Sequence, residues 1–400
     1  MSTNDTVMTS RERVQAAMRR QPVDHLPLCV DTLCHGGVRF VTERLPDRFE
    51  RATYYQRLGL DTGVTLESPL CSPSHNPAVT FKEWCERSPN EAYPLLYREY
   101  QTARGNLRQI VRKTDDYRGD EIVTMFSDFN VPAGRSLRYL VETEDDLDKL
   151  ECLLCPLSGQ ALLEYREDAE QAKRFCDEHH LTLAAYQLGI GDPLIWMSGV
   201  ERILEIALEE KAFLQRYVEL VAAWQRQALQ IALEAGAQHV VRRGIYESID
   251  FWSPHLYEEF LLAPLQQEVA LIHQAGATVD YVMLSGYMPI LDAIKRSGVD
   301  MLSNLDPHAG VTDLRAIRTA IGDAVTLCGG LNNYHVLESG TEDDVRRAVH
   351  EAIAAFTPST GCILAPSDWI GYEDHHGDNT SRIERNFRAM VDTWREATGA

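Results

Sequence analysis

From about residue 236 to residue 365 short apolar runs alternate with amphipathic stretches on a regular beat, and this alternation constrains the fold more than any other feature of the chain. The runs are Gln238-His239-Val240-Val241-Arg242, Val279 to Leu284, Val299-Asp300-Met301-Leu302-Ser303-Asn304, Ala324-Val325-Thr326-Leu327-Cys328 and Cys362-Ile363-Leu364-Ala365. Between them the spacing predicts helices from Leu256 to His273, Pro289 to Ser297, Asp313 to Ile321 and Thr341 to Phe356. Ser253-Pro254 suits an N-cap followed by the first helical position, and Gly276, Gly298, Gly322 and Gly361 stand where helix C-caps belong. Helix-to-strand units with short connections mean parallel strands. Read backward, Leu181 to Gln187, Gly63 to Glu67 and Leu26 to Asp31 bring the strand count to eight. Eight closes an α/β (β/α)8 TIM barrel. A doubly wound open sheet would carry a glycine-rich phosphate loop after its first strand, and Gly189-Ile190-Gly191 is only a fragment of one.

Two pieces fall outside the beat. Residues 1–25 carry the capping box Thr9-x-x-Glu12, which predicts an N-terminal helix that plugs or flanks the barrel. Residues 68–180 form an insertion between strands 2 and 3, in which Tyr97 to Gln101 and Leu107 to Val111 flank Ala103-Arg104-Gly105-Asn106 as a β-hairpin beside the barrel mouth. With no Pro-rich linker or internal repeat, residues 1–400 read as a single barrel domain.

A formal charge of -21 and a pI near 5.0 exclude nucleic acid and anionic membrane surfaces as partners, because phosphate binding needs clustered Lys and Arg. No apolar run is long enough to span a bilayer, and Met1-Ser2-Thr3-Asn4-Asp5 lacks a basic region followed by an apolar core. The expected location is the cytoplasm and the expected partner a small molecule. Nine scattered cysteines argue against disulfides, and Cys152-x-x-Cys155 has no second pair to complete a zinc site.

In such a barrel the C-terminal strand ends carry the site. His35, Glu67, Arg243, Ser285, Asn304, Asp306, Asn332, Asp368, His375 and His376 lie at or just beyond those ends. Carboxylate and imidazole move protons near neutral pH, which makes Glu247, His35 and Asp368 the candidate catalytic groups. Asp31, Glu67, Arg243, Tyr246, Met283, Ser285, Asn304, Asn332 and Trp369 are the candidate substrate-binding groups. A helix-capping His35, a loop acid at Glu247 and a structural turn at Asp306-Pro307 are the plainer alternatives. An inward Arg243 needs an anion, either Glu247 or a substrate carboxylate. His375-His376 is the most metal-like pair, although adjacent histidines face different ways.

The opening Arg11-Glu12-Arg13-Val14-Gln15-Ala16-Ala17-Met18-Arg19-Arg20-Gln21-Pro22-Val23-Asp24-His25-Leu26-Pro27 resembles that of the uroporphyrinogen decarboxylase-like superfamily, especially its cobalamin-dependent methyltransferase branch. Gly276, Gly286, Gly298-Val299-Asp300, Asp306-Pro307, Gly329-Gly330, Gly340-Thr341-Glu342 and Asn386-x-x-x-Met390 are similar in order. Three departures shape the functional expectation. Asp31-Thr32-Leu33-Cys34-His35-Gly36-Gly37-Val38-Arg39 stands where tetrapyrrole decarboxylases resemble one another in an Arg-Gln-Ala-Gly-Arg segment, so the carboxylate clamp for a tetrapyrrole is missing. Met283-Leu284-Ser285-Gly286 replaces the His-x-Cys-Gly of the zinc-dependent methyltransferases, and Pro366-Ser367-Asp368-Trp369 lacks their second Cys, which removes the thiolate set for zinc. The resemblance implies a methyltransferase or demethylase moving a methyl group from a small substrate to a corrinoid (cobalamin) or folate acceptor, with a partner corrinoid protein and a homodimer. A decarboxylase or lyase on a small carboxylic acid, and a non-catalytic ligand-binding homologue, are the alternatives.

Overall fold

Seven parallel strands form one curled sheet: β1 (Gly63–Leu66), β6 (Thr182–Gln187), β7 (His239–Arg243), β8 (Thr278–Val282), β9 (Met301–Leu305), β10 (Thr326–Asn332) and β11 (Cys362–Ser367), neighbours in that order. They come from a computed structural model that describes residues 7–34, 36–70, 76–117, 135–358, 360–371 and 380–400. The predicted strand from Leu26 to Asp31 is shorter than expected. Only Leu28 and Cys29 pair, Leu28 with Leu364 of β11 and Cys29 with Asp61 just before β1, both parallel. Pro27 has no N–H to give a longer ladder, although its carbonyl accepts from Leu364 at 2.9 Å, and the chain leaves the extended conformation at Thr32, whose φ is +69°. The result is a barrel-like arrangement of seven regular strands with a two-residue tie between the first and the last.

The helices form as their signals dictate. Thr9 and Glu12 make the reciprocal capping box of the helix Ser10–Met18, and Ser253 caps the N–H of Leu256 ahead of Pro254. Gly276, Gly298 and Gly361 take positive φ before their strands, whereas Gly322 stays right-handed at φ -66°. The N-terminal helix plugs the end of the sheet where the strands begin: Thr326 donates to the Ala17 carbonyl at 3.0 Å, Arg13 pairs with buried Asp61 at 2.7 Å, and Val14, Ala17 and Met18 pack on Met301, Cys328 and Ile363.

The insertion contains an antiparallel sheet of β2 (Thr80–Glu86), β3 (Leu95–Thr102), β4 (Gly105–Arg112) and β5 (Ser136–Arg138) in that order, with the expected hairpin at its centre. Tyr100 is fully buried inside it, and Tyr97 stacks on Trp84 at 4.9 Å. Among the described residues no helix is long and apolar enough to cross a membrane.

Candidate active site

Alternation along each strand decides which side chains reach the lumen. On β7, Val241 clusters with Ala184 and Val282, so His239, Val241 and Arg243 face inward while Val240 and Arg242 face the helices. Tyr186 of β6 lies beside Val241 in register, and Glu67 follows directly after β1. Together with Asp31, Thr32, Cys34, Gly36, Arg48, Arg51, Ala52, Thr65 and Trp369 these residues line a cavity of about 380 Å³ at the end where the strands finish. Three sequence candidates, Asp31, Glu67 and Trp369, therefore meet in one pocket.

Backbone strain marks the same rim. Thr32, Asn304 and Asp368 hold φ of +69°, +62° and +62° just past strand one and at the ends of β9 and β11. L-residues adopt this region at a cost of about 1–2 kcal/mol, and such outliers gather where geometry is demanded by function. Asp368 accepts the Trp369 N–H at 2.8 Å, and its carbonyl lies where a Cβ on Gly36 would stand, at 2.9 Å. Trp369 is wedged on Gly37, since a Cβ there would lie 2.7 Å from its ring. The aromatic wall of the pocket is fixed in place.

Burial pushes the Asp31 carboxyl above its usual range, and Arg51, at 3.6 Å, pulls the other way without cancelling the rise. Arg48 donates to the Thr65 carbonyl at 3.3 Å and to Asp168 at 2.6 Å. Above Val241, Arg243 pairs with fully buried Asp192 at 2.5 Å and lies over the rings of Trp196 and Tyr246, 5.3 and 5.7 Å from their centroids. Its counter-ion is Asp192, which corrects the expectation of Glu247. The sequence order of two arginines concealed which acid meets which, because Arg242 and Arg243 point to opposite sides of one strand.

Glu247 sits behind the sheet, 1% exposed. It accepts from Arg242, from the Tyr281 hydroxyl at 2.6 Å and from the N–H groups of Ile190 and Gly191 at 2.6 and 3.2 Å. Arg242 also reaches Glu268 at 2.7 Å. Glu247 thus staples the loop after β6 to the loop after β7. A Cβ on Gly189 or Gly191 would lie 2.1 Å from the Arg243 carbonyl or 2.4 Å from that of Tyr246, so glycine is required at both.

The other candidates scatter. Met283 is fully buried in the core with Tyr281 and Tyr287. Ser285 donates to Asp250 at 2.5 Å in the loops after β7 and β8. Asn332 donates to Asp306 at 2.7 Å, as Ser367 does at 3.0 Å, joining the ends of β9, β10 and β11. Asn304 is 1% exposed, and neither atom of its amide has a partner among the described residues. His35, His375 and His376 lie outside the described residues. Among the described residues no group of three His, Cys, Asp or Glu comes together as a metal site. Sequence reasoning missed Arg48, Arg51, Cys34, Thr65, Tyr186 and Asp192; the Arg48-x-x-Arg51 spacing at the start of a predictable helix was the available signal.

The chain belongs to the uroporphyrinogen decarboxylase family, whose model matches residues 181–393, more than half of the sequence. Among solved structures it is similar to a methyltransferase from Methanosarcina mazei, at 17% identity and a TM-score of 0.61, covering 98% of this chain and 99% of that one. That likeness is one of fold. A 3-keto-D-glucoside 4-epimerase from E. coli matches at 15% identity and a TM-score of 0.33 over 57% of this chain and 83% of its own. Among curated proteins, none matches the sequence.

Proposed function

We propose that the protein transfers a methyl group from a small substrate to a corrinoid or folate acceptor. The observation that carries this reading is a substrate-sized pocket at the mouth with a carboxyl, Asp31, biased by burial toward its protonated form. Likeness over nearly the full length to a methyltransferase fold supports it. A methyl bound to oxygen, sulfur or nitrogen leaves readily only when the heteroatom is protonated as it departs. Asp31 supplies that proton. The carbon–heteroatom bond would break with its electron pair staying on the heteroatom, which takes the Asp31 proton, and the methyl carbon would pass to the nucleophile that a bound acceptor would supply.

The pocket of about 380 Å³ holds a small substrate and is much too small for a corrin ring, so an acceptor would approach across the open mouth. When bound there, a reduced corrinoid or folate supplies the nucleophile. Trp369 and Tyr186 wall the substrate in, and Glu247, through the loop of Ile190 and Gly191, positions Asp192 and thereby Arg243 at the rim.

The test is to incubate the protein with methoxy, methylthio and methylamino donors and free cob(I)alamin, following methylcobalamin by absorbance. Asp31→Asn should lower the rate by about 100-fold or more, the usual contribution of a general acid. No methylcobalamin from any donor class would overturn the proposal, and carbon dioxide release without an acceptor would favour the decarboxylase alternative.

A further inference from the structure

Two guanidiniums and two carboxyls line the pocket, but Glu67 is exposed to water and the contacts of the other three are unequal. Arg48 and Arg51 lie one turn apart on the helix Arg48–Arg57, so both reach the same wall. Arg48 is committed to Asp168 and a carbonyl. Arg51 donates to two neutral carbonyls, those of Leu45 and Pro46, at 3.0 and 2.6 Å, and its acid, Asp31, stands 3.6 Å away. Closed charge-assisted contacts span about 2.7–2.9 Å. Buried arginines elsewhere close them, as between Arg242 and Glu268 at 2.7 Å or Arg13 and Asp24 at 2.6 Å, whereas pairs left open, such as Arg166 with Glu234 at 3.7 Å, lie at the exposed surface. Burial also raises the Asp31 carboxyl, against the pull of Arg51. A guanidinium largely removed from water, held by two neutral carbonyls and by an acid only at 3.6 Å, favours an anion.

We infer that the pocket takes a small methylated acid, its carboxylate paired with Arg51 and its methyl-bearing heteroatom a few bonds away beside Asp31. The methyl half of this inference rests on the transfer reading above; the carboxylate half stands on Arg51 alone. With Trp369 wedged on Gly37, the wall cannot retreat to admit a much larger acid.

Isothermal titration of the full chain tests it, with methoxyacetate and 3-(methylthio)propionate set against their carboxamides, which keep the shape and lose the charge. At least one acid should bind about tenfold or more tighter than its amide, a difference of about 1.4 kcal/mol. Arg51→Gln should bring that acid down to the amide's affinity, while Arg51→Lys, which keeps a charge but loses the planar fork, should retain part of the preference. Equal binding of acid and amide, no binding of either acid, or an Arg51→Gln variant that melts like the parent and binds the acid equally well would each overturn the inference. Should Arg51→Gln fail to fold, the acid-over-amide ratio of the parent and the Arg51→Lys variant decide. Charge-selective binding without methylcobalamin formation would leave the acid assignment standing and remove the transfer reading, whereas methyl transfer from neutral donors alone would do the reverse.

Discussion

Two arginine–carboxylate clusters, one behind β7 and β8 and one in the pocket, behave in opposite ways. Behind the sheet, Arg242, Glu247, Glu268 and Tyr281 are each about 1% exposed or less, and the guanidinium closes on both acids. In the pocket, Arg51 and Asp31 keep about a fifth of their side chains exposed and stop 3.6 Å apart. The first cluster uses its charge internally, fixing two loops. The second leaves charge unspent where a ligand can reach it. Ionisable groups alone do not mark a site; what separates these two clusters is the closure of their contacts.

The largest expected effect breaks the closed cluster. Arg242→Gln leaves Glu247 and Glu268 buried without a cation and should cost about 3–5 kcal/mol in urea denaturation. In the same assay Arg51→Gln, at a partly hydrated and loosely paired position, should cost about 1 kcal/mol. Similar losses for the two variants would erase the distinction between them.

Much of this fold was legible in the sequence because periodicity and capping are local. The five downstream strands, their helices and the hairpin all follow from spacing, with boundaries displaced by one to a few residues. The first strand was overread because Leu26 to Asp31 has the composition of a strand, while Pro27 and the left-handed Thr32 limit its pairing to two residues. At the site, Asp31, Glu67 and Trp369 were found because they follow strand ends. Arg48 and Arg51 were not, since a helix surface gives no sign of which face turns to a cavity. Glu247 read as a candidate catalytic acid because its partners, Arg242, Tyr281 and the N–H groups of Ile190 and Gly191, are brought together only by the tertiary structure.

The lumen floor sharpens the comparison by pH, because it holds buried groups that lack a full set of partners. His239 is 1% exposed, contacts the Thr278 hydroxyl at 3.0 Å through Nδ1, and has no partner at Nε2 among the described residues. Burial holds its imidazole down to about 4 from an ordinary 6.5. Between those values the unfolded chain binds a proton that the folded chain refuses. The resulting stability is therefore complete above pH 6.5 and lost as pH falls toward 4, by about 3 kcal/mol. Asp61 works in the other direction, since burial, opposed by Arg13, raises it to about 6. Its contribution is complete below about pH 3.8 and is lost as pH rises through 6. His239→Gln should remove the acid-side loss in denaturation curves taken from pH 4 to 6.5. An unchanged slope would show that the imidazole is hydrated.

The smallest effect should carry the opposite sign. Asn304 combines a positive φ with a buried amide whose donor and acceptor both lack partners among the described residues. Glycine removes the conformational penalty of about 1 kcal/mol and the unsatisfied amide, worth about 1–3 kcal/mol, against the lost packing and about 0.5–1 kcal/mol of added freedom in the unfolded chain. Asn304→Gly should therefore stabilise the protein by about 1 kcal/mol in urea denaturation. Asn304 is 1% exposed and does not line the pocket, so the same substitution should raise the melting temperature through the frame alone. Loss of stability would instead show that the amide is satisfied within the protein.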